Sequence, residues 1–172
     1  QGESLKALME YQAHERLTVS KTTRVAVREL VSQWEKDGGA RTPENKLILA
    51  STNAEVREIN RQCQARRLLL PGANTDRKVF HEGAFFYEGD RVLFSKRMTK
   101  QKIENSWVGT VEKADERGEL TVKLDKDGRL VTIRLKTLPK DALKHGWAST
   151  THKAQGKTID LAQYRGRVVL VN

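Results

Sequence analysis

The chain has 172 residues, 32 of them basic and 22 acidic, for a net charge of +10. That length suits one ordinary domain, or one domain carrying a small insert, and no apolar run reaches the roughly 18 residues a membrane helix needs, so no membrane partner is expected. The lone cysteine, Cys63, excludes an intramolecular disulfide and a cysteine-based zinc site, and His14, His81, His145 and His152 show no metal-ligand spacing, so no metal site is expected.

Taken in order, Leu5, Leu8, Met9 and Gln12 predict a short amphipathic helix within 1–15, and 16–19 reads as a short strand. Hydroxyl residues at 20–23 offer an N-cap. Behind them Val27, Leu30, Val31 and Trp34 follow the i, i+3, i+4, i+7 rule of a helix with one buried face. Asp37-Gly38-Gly39 ends that helix, and Trp34 reads as a core anchor. Leu47-Ile48-Leu49-Ala50 is a short apolar run, as in a strand covered on both faces of a parallel sheet. Thr52 followed by Glu55 is a capping-box signature, and Val56, Ile59, Cys63 and Leu70 give the next helix its apolar face. Pro71-Gly72 stops it.

From 79 to 138 the pattern becomes all-β. Strands are predicted at 91–95, 107–113, 120–124 and 130–135, with Asp127-Gly128 as a hairpin turn, which suggests a small barrel. Phe80, Phe85, Phe86 and Tyr87 form an aromatic entry segment before Gly89-Asp90, which reads as turn chemistry. Lys96, Arg97, Lys100 and Lys102 crowd into one loop. Two readings of that loop stand: a solvated hairpin, or an arm that contacts phosphates.

After Pro139 and Asp141 the chain enters Gly146 to Ile159. Trp147 to Thr151 reads as a buried strand running out into a loop, and His152, Lys153, Gln155, Gly156 and Lys157 follow within a few residues. Two cations, an imidazole, an amide and a glycine at a strand end suit phosphate or a nucleic-acid strand. Gly156-Lys157-Thr158 is not the end of a P-loop, because Thr151 stands where the first glycine of that loop is required. A last buried strand is predicted at 168–171.

The run Trp147-Ala148-Ser149-Thr150-Thr151-His152-Lys153-Ala154-Gln155-Gly156 resembles motif V of superfamily 1 helicases, especially their RecD-like branch. Leu49-Ala50-Ser51-Thr52-Asn53-Ala54-Glu55-Val56-Arg57 resembles motif IV of the same family, with Ala50 and Ser51 where the family has an aromatic and a basic residue. Gly89-Asp90-Arg91-Val92 and Asn105-Ser106-Trp107-Val108-Gly109-Thr110-Val111 resemble the SH3-like insert of RecD-type helicases, with Ser106 in place of a glycine. The resemblance implies an α/β fold: an incomplete RecA-like parallel sheet with helices, the second motor domain, at 1–79 and 139–172. A small SH3-like β-barrel is inserted at 80–138.

It also implies roles. Thr150, Thr151, His152 and Lys153 would contact single-stranded DNA, while Gln155, Gly156, Lys157 and Arg57 would face the phosphates of ATP. His152 taken alone also reads as a structural histidine, and Arg57 as a solvated helix cation. ATP and Mg2+ are expected in the full-length protein and no cofactor in the isolated piece, which has no Walker A, no acidic Walker B segment and no arginine-finger motif. No catalytic residue is therefore expected within it. The implied partners are single-stranded DNA and a first motor domain elsewhere in the same chain. Several members of this branch are the helicase halves of conjugative relaxases, which sets the expected context. The absence of a starting methionine suggests a piece of a longer protein, and the cysteine usage a cytoplasmic one. A different class of function also fits: a non-motor nucleic-acid adaptor in which the barrel does the binding.

Overall fold

The computed structural model describes residues 23–150 and the backbone of 168–170. The helix expected within 1–15 and the strand at 16–19 lie outside the described residues. Helix α1 spans Thr23–Lys36 and buries Val27, Val31 and Trp34, the stripe its periodicity predicts. It ends in a Schellman motif: Gly39 N–H donates to Trp34 C=O at 2.8 Å and Gly38 N–H to Glu35 C=O at 2.9 Å. Gly38 sits at φ +80°, where a side chain would be strained.

Strand β1, Leu47–Ala50, is buried at all four positions. It is the middle strand of a three-stranded sheet and runs parallel to both neighbours. A strand covered on both faces has no polar side to present, which explains its unbroken apolar run. Helix α2, Asn53–Leu68, follows at once. Its capping box is complete: Glu55 N–H donates to Thr52 Oγ1 at 3.2 Å, and Thr52 N–H to Glu55 Oε2 at 2.9 Å.

The aromatic entry segment folds as a hairpin of β2, Lys78–His81, and β3, Ala84–Tyr87. Its two-residue loop, Glu82-Gly83, has positive φ at both positions (+46° and +84°), the twist that a tight hairpin favours. Five further strands follow: β4, Arg91–Phe94; β5, Val108–Asp115; β6, Glu119–Leu124; β7, Leu130–Arg134; and β8, Leu143–His145. They form one antiparallel sheet in the order β7-β6-β5-β4-β8. A 3-10 turn at Leu135–Thr137 carries the chain from β7 towards β8. β6 and β7 alternate buried and open positions as predicted, so each presents one face to a core. The expected barrel is not closed: β7 and β8 are edges, and no ladder joins them among the described residues. A register shift between Val111 and Lys113 bends β5 without bringing those edges together.

Strand β9, Ala148–Thr150, returns to the parallel sheet beside β1, and β10, Val168–Leu170, pairs with the other side of β1. The apolar residues divide accordingly. One cluster gathers Trp34, Ile48, Ile59, Cys63 and Trp147 between the parallel sheet and the two helices. The other gathers Phe86, Phe94, Val111, Leu120 and Ile133 inside the antiparallel sheet and the hairpin. Trp147 is fully buried, and burying a side chain of that size contributes about 3 kcal/mol.

Candidate nucleic-acid interface

The parallel register fixes where the strand ends lie. Ile48 pairs with Ala148, Leu49 with Ser149 and Ala50 with Thr150. β1 and β9 therefore end side by side. The turn at Ser51-Thr52 and the first turn of α2 therefore begin beside Thr150, at the carboxyl end of the sheet. In α/β sheets the carboxyl ends of strands are where ligands bind. Of the residues singled out there, Thr150 is half-buried at the end of β9. Thr151, His152, Lys153, Gln155, Gly156 and Lys157 lie outside the described residues.

Arg57 is exposed on α2, one turn beyond the cap. Its neighbours along the helix are engaged. Arg61 donates twice to Glu58, at 2.8 Å and 2.6 Å, and Arg66 pairs with Glu35 at 3.0 Å. No ion pair is found for Arg57 among the described residues. The fork of hydrogen bonds from Arg61, with a further one from Gln62, holds the Glu58 carboxyl down to about 2. Cys63, on the buried face of the same helix, has its thiol pushed well above the ordinary range by desolvation. That makes it an inert core residue. Among the described residues no group of His, Cys, Asp and Glu is arranged to hold a metal ion.

The basic loop belongs to the antiparallel half. It is a small hairpin closed by Met98 and Ile103, whose amides and carbonyls exchange hydrogen bonds of 2.8 Å and 3.1 Å. Lys96, Arg97, Lys100 and Lys102 are exposed around it, and Arg97 pairs with Glu104 at 3.2 Å. Arg129 braces the turn from the β6–β7 connection. Its guanidinium donates to the carbonyls of Gln101, at 2.9 Å, and of Lys102, and lies 5.7 Å from the ring centroid of Trp107.

One part of the arrangement was not anticipated. Asp90, read as turn chemistry, does receive the Tyr87 N–H at 2.9 Å as a turn residue would. It is also fully buried and pairs with Arg67, whose Nε lies 2.8 Å and Nη2 2.7 Å from Asp90 Oδ1. Gln64 Nε2 donates to Asp90 Oδ2 at 2.6 Å and to Phe85 C=O at 2.8 Å. Asn60 accepts the Ala148 N–H at 2.9 Å and donates to His145 C=O at 3.2 Å. Asn60, Gln64 and Arg67 are spaced i, i+4, i+7, so one stripe of α2 grips the antiparallel sheet and the start of β9 together. The available signal was polar residues sharing a helix face with Ile59 and Cys63. Nothing in the sequence named their partners.

No protein-family model matches the chain. The conjugal transfer protein TraA of Agrobacterium fabrum is 30% identical over 162 residues, covering 92% of this chain and 14% of that protein. TraA of Rhizobium radiobacter is 30% identical over 169 residues, again 92% of this chain and 14% of that protein. The probable TraA of Sinorhizobium fredii is 26% identical over 157 residues, 90% of this chain and 14% of that protein. The chain thus spans about one seventh of the length of these relatives, 14% in each case. Among solved structures, a Pif1 helicase from Bacteroides in complex with ADP-AlF3 and ssDNA aligns with a TM-score of 0.49 and 17% identity, over 89% of this chain and 49% of that one. Unliganded Pif1 from Bacteroides sp aligns with a TM-score of 0.46 and 22% identity, over 76% of this chain and 53% of that one. No helix among the described residues is long and apolar enough to cross a membrane. On the sequence alignments, which take in nine-tenths of its residues, the chain is homologous to a segment of the conjugal transfer proteins TraA.

Proposed function

We propose that this chain is part of an ATP-dependent DNA helicase, the helicase portion of a conjugal transfer relaxase, and that it grips single-stranded DNA and couples that grip to ATP state. The observation that carries the reading is the parallel pairing that sets Ala50 beside Thr150. Two segments far apart in sequence, each resembling a helicase motif, thereby start from one sheet edge. Homology to TraA supports the conjugative setting. Thr150, Thr151, His152 and Lys153 would meet the DNA backbone. Gln155, Gly156, Lys157 and Arg57 would face ATP with its Mg2+, held between this domain and a first motor domain. Hydroxyl and imidazole contacts suit a motor, which must release each phosphate as it steps. The chain alone is expected to hydrolyse no ATP, since phosphoryl transfer needs parts it does not carry.

The division proposed is a RecA-like domain at 1–79 and 139–172 with an SH3-like insert at 80–138. Supporting the insert is the antiparallel sheet that β4 to β7 form within those bounds, separate from the parallel sheet of β1, β9 and β10. β8, Leu143–His145, lies past residue 138 and goes with the insert's sheet.

The test is fluorescence anisotropy with a labelled oligothymidylate across a salt series. Weak binding at low salt is expected, falling about tenfold or more as salt rises fourfold. The double variant Thr150→Ala/His152→Ala should bind about tenfold more weakly. If that variant binds like the unaltered chain, while Lys96→Gln/Lys100→Gln loses affinity, the adaptor reading replaces this one.

A further inference from the structure

The hairpin β2–β3 has two unlike faces. Val79 and Phe86 point into the antiparallel core and are buried. Lys78, Phe80, Phe85 and Tyr87 share the other face, because Phe80 pairs with Phe85 and Lys78 with Tyr87 across the ladder. Phe80 is 60% exposed and Phe85 44%. Their ring centroids lie 5.1 Å apart, and Tyr87 continues the row 6.3 Å beyond Phe85. Lys78 Nζ sits 5.3 Å from the Phe85 ring centroid and 5.9 Å from that of Tyr87.

The platform is firm. The tight turn fixes the ladder, and Gln64 of α2 donates to Phe85 C=O from behind at 2.8 Å. Two of the neighbouring carboxylates are engaged elsewhere. Glu82 accepts the Asp141 N–H at 3.0 Å and 3.1 Å, and Glu88 accepts from Asn74 at 3.0 Å and pairs with Arg77 at 3.6 Å. Of the four residues on this face, Lys78 alone carries a charge.

Exposed aromatic rings with a lysine laid among them do not fit the middle of a protein–protein contact, where lysine is depleted. They fit a single nucleic-acid strand, whose bases stack on ring faces while the cation meets the adjoining phosphate. The chain's charge of +10 is complementary to such a strand. We infer that the outer face of the β2–β3 hairpin is a base-stacking platform for single-stranded nucleic acid, built from Phe80, Phe85, Tyr87 and Lys78. It is a second contact surface, independent of the strand-end loops and of any motor role.

The experiment uses the whole chain, a labelled oligothymidylate and a duplex of equal length. Phe80→Ala/Phe85→Ala removes exposed rings and leaves the core untouched. It should weaken single-strand binding about tenfold or more, leave duplex binding within twofold and leave the salt slope unchanged, since stacking is not ionic. Phe85→Trp should retain or improve binding. An oligonucleotide carrying bromodeoxyuridine should photo-crosslink within 78–87. Single-strand binding by the double alanine variant within twofold of the unaltered chain would overturn the inference. So would equal losses on single strand and duplex, or self-association that disappears with the rings while DNA binding does not change. Thr150→Ala/His152→Ala separates the two proposals. If it weakens binding and the ring variant does not, the platform fails and the strand-end reading stands. If the ring variant weakens binding and the strand-end variant does not, the platform stands and the strand-end reading fails.

Discussion

The two sheets of this molecule are assembled in opposite ways. In the antiparallel sheet β4 to β7 are neighbours in space in the order in which they are made, and only β8 returns from a distance, to pair with β4. In the parallel sheet β1 lies between strands from much later in the chain, and Ile48 pairs with Ala148 one hundred residues on. Local pairings form with little loop-closure cost, whereas distant ones wait for the intervening chain to be ordered. The antiparallel unit is therefore expected to form first. β8 leads through Gly146 into Trp147, whose carbonyl accepts the Ile48 N–H at 3.0 Å. The contact between the two halves joins polar groups, Asn60, Gln64, Arg67 and Asp90, to the His145 ring, which lies 4.5 Å from that of Phe86 and 5.4 Å from that of Trp147, while each interior is apolar.

The largest test of this contrast is Asp90→Leu. It leaves the Arg67 guanidinium buried without its counter-charge and should cost about 3–5 kcal/mol in urea unfolding. Arg67→Met combined with Asp90→Leu should recover most of that loss. A double variant as unstable as the single one would show that Asp90 serves the turn and not the seam. Next in size is Asn60→Leu, which strips the Ala148 amide and the His145 carbonyl of their partner. It should cost about 2–3 kcal/mol, with hydrogen-exchange protection lost first at Ala148. Equal loss of protection across β5 and β6 would mean that the halves do not separate.

Ser106 sharpens the antiparallel side. It holds φ +68°, a left-handed conformation that strains a residue with a Cβ. Ser106→Gly should stabilise the chain by about 0.5–1 kcal/mol, the strain relieved less the entropy that glycine adds to the unfolded state. The smallest effect is expected at Glu58, whose pair with Arg61 is well exposed. Its carboxyl is held down to about 2 against an ordinary 4.5, so its contribution is present above 4.5 and lost as pH falls towards 2. Solvent screening keeps that contribution below about 0.5 kcal/mol, so acid titrations of Glu58→Gln and the unaltered chain should nearly overlie.

Much of the fold was legible because its signals are local. The stripe from Val27 to Trp34, the apolar run at Leu47 and the pairing of Thr52 with Glu55 each act within a few residues, and all three formed as read. The alternation of Leu120, Val122 and Leu124 gave a strand for the same reason. The β2–β3 hairpin was missed because adjacent aromatics at 85–87 hide the period of two, and Glu82-Gly83 is a less usual turn than Asn-Gly. Closure of the barrel was over-read, since strand spacing reports neighbours and not whether the edges meet. The Asp90–Arg67 pair was out of reach altogether, because a helix face gives no name to what packs on it. Juxtaposition of Thr150 with Ala50 depends on register across a hundred residues, and only motif resemblance hinted at it.

Arg129 has a consequence for the loop it holds. A lysine-bearing turn that is slack must surrender its freedom when it meets a partner, and affinity suffers by that amount. Here the backbone of Gln101 and Lys102 is already pinned from the neighbouring connection. The ammonium of Lys102 thus extends from an anchored point, and the fold itself sets where the turn holds that charge.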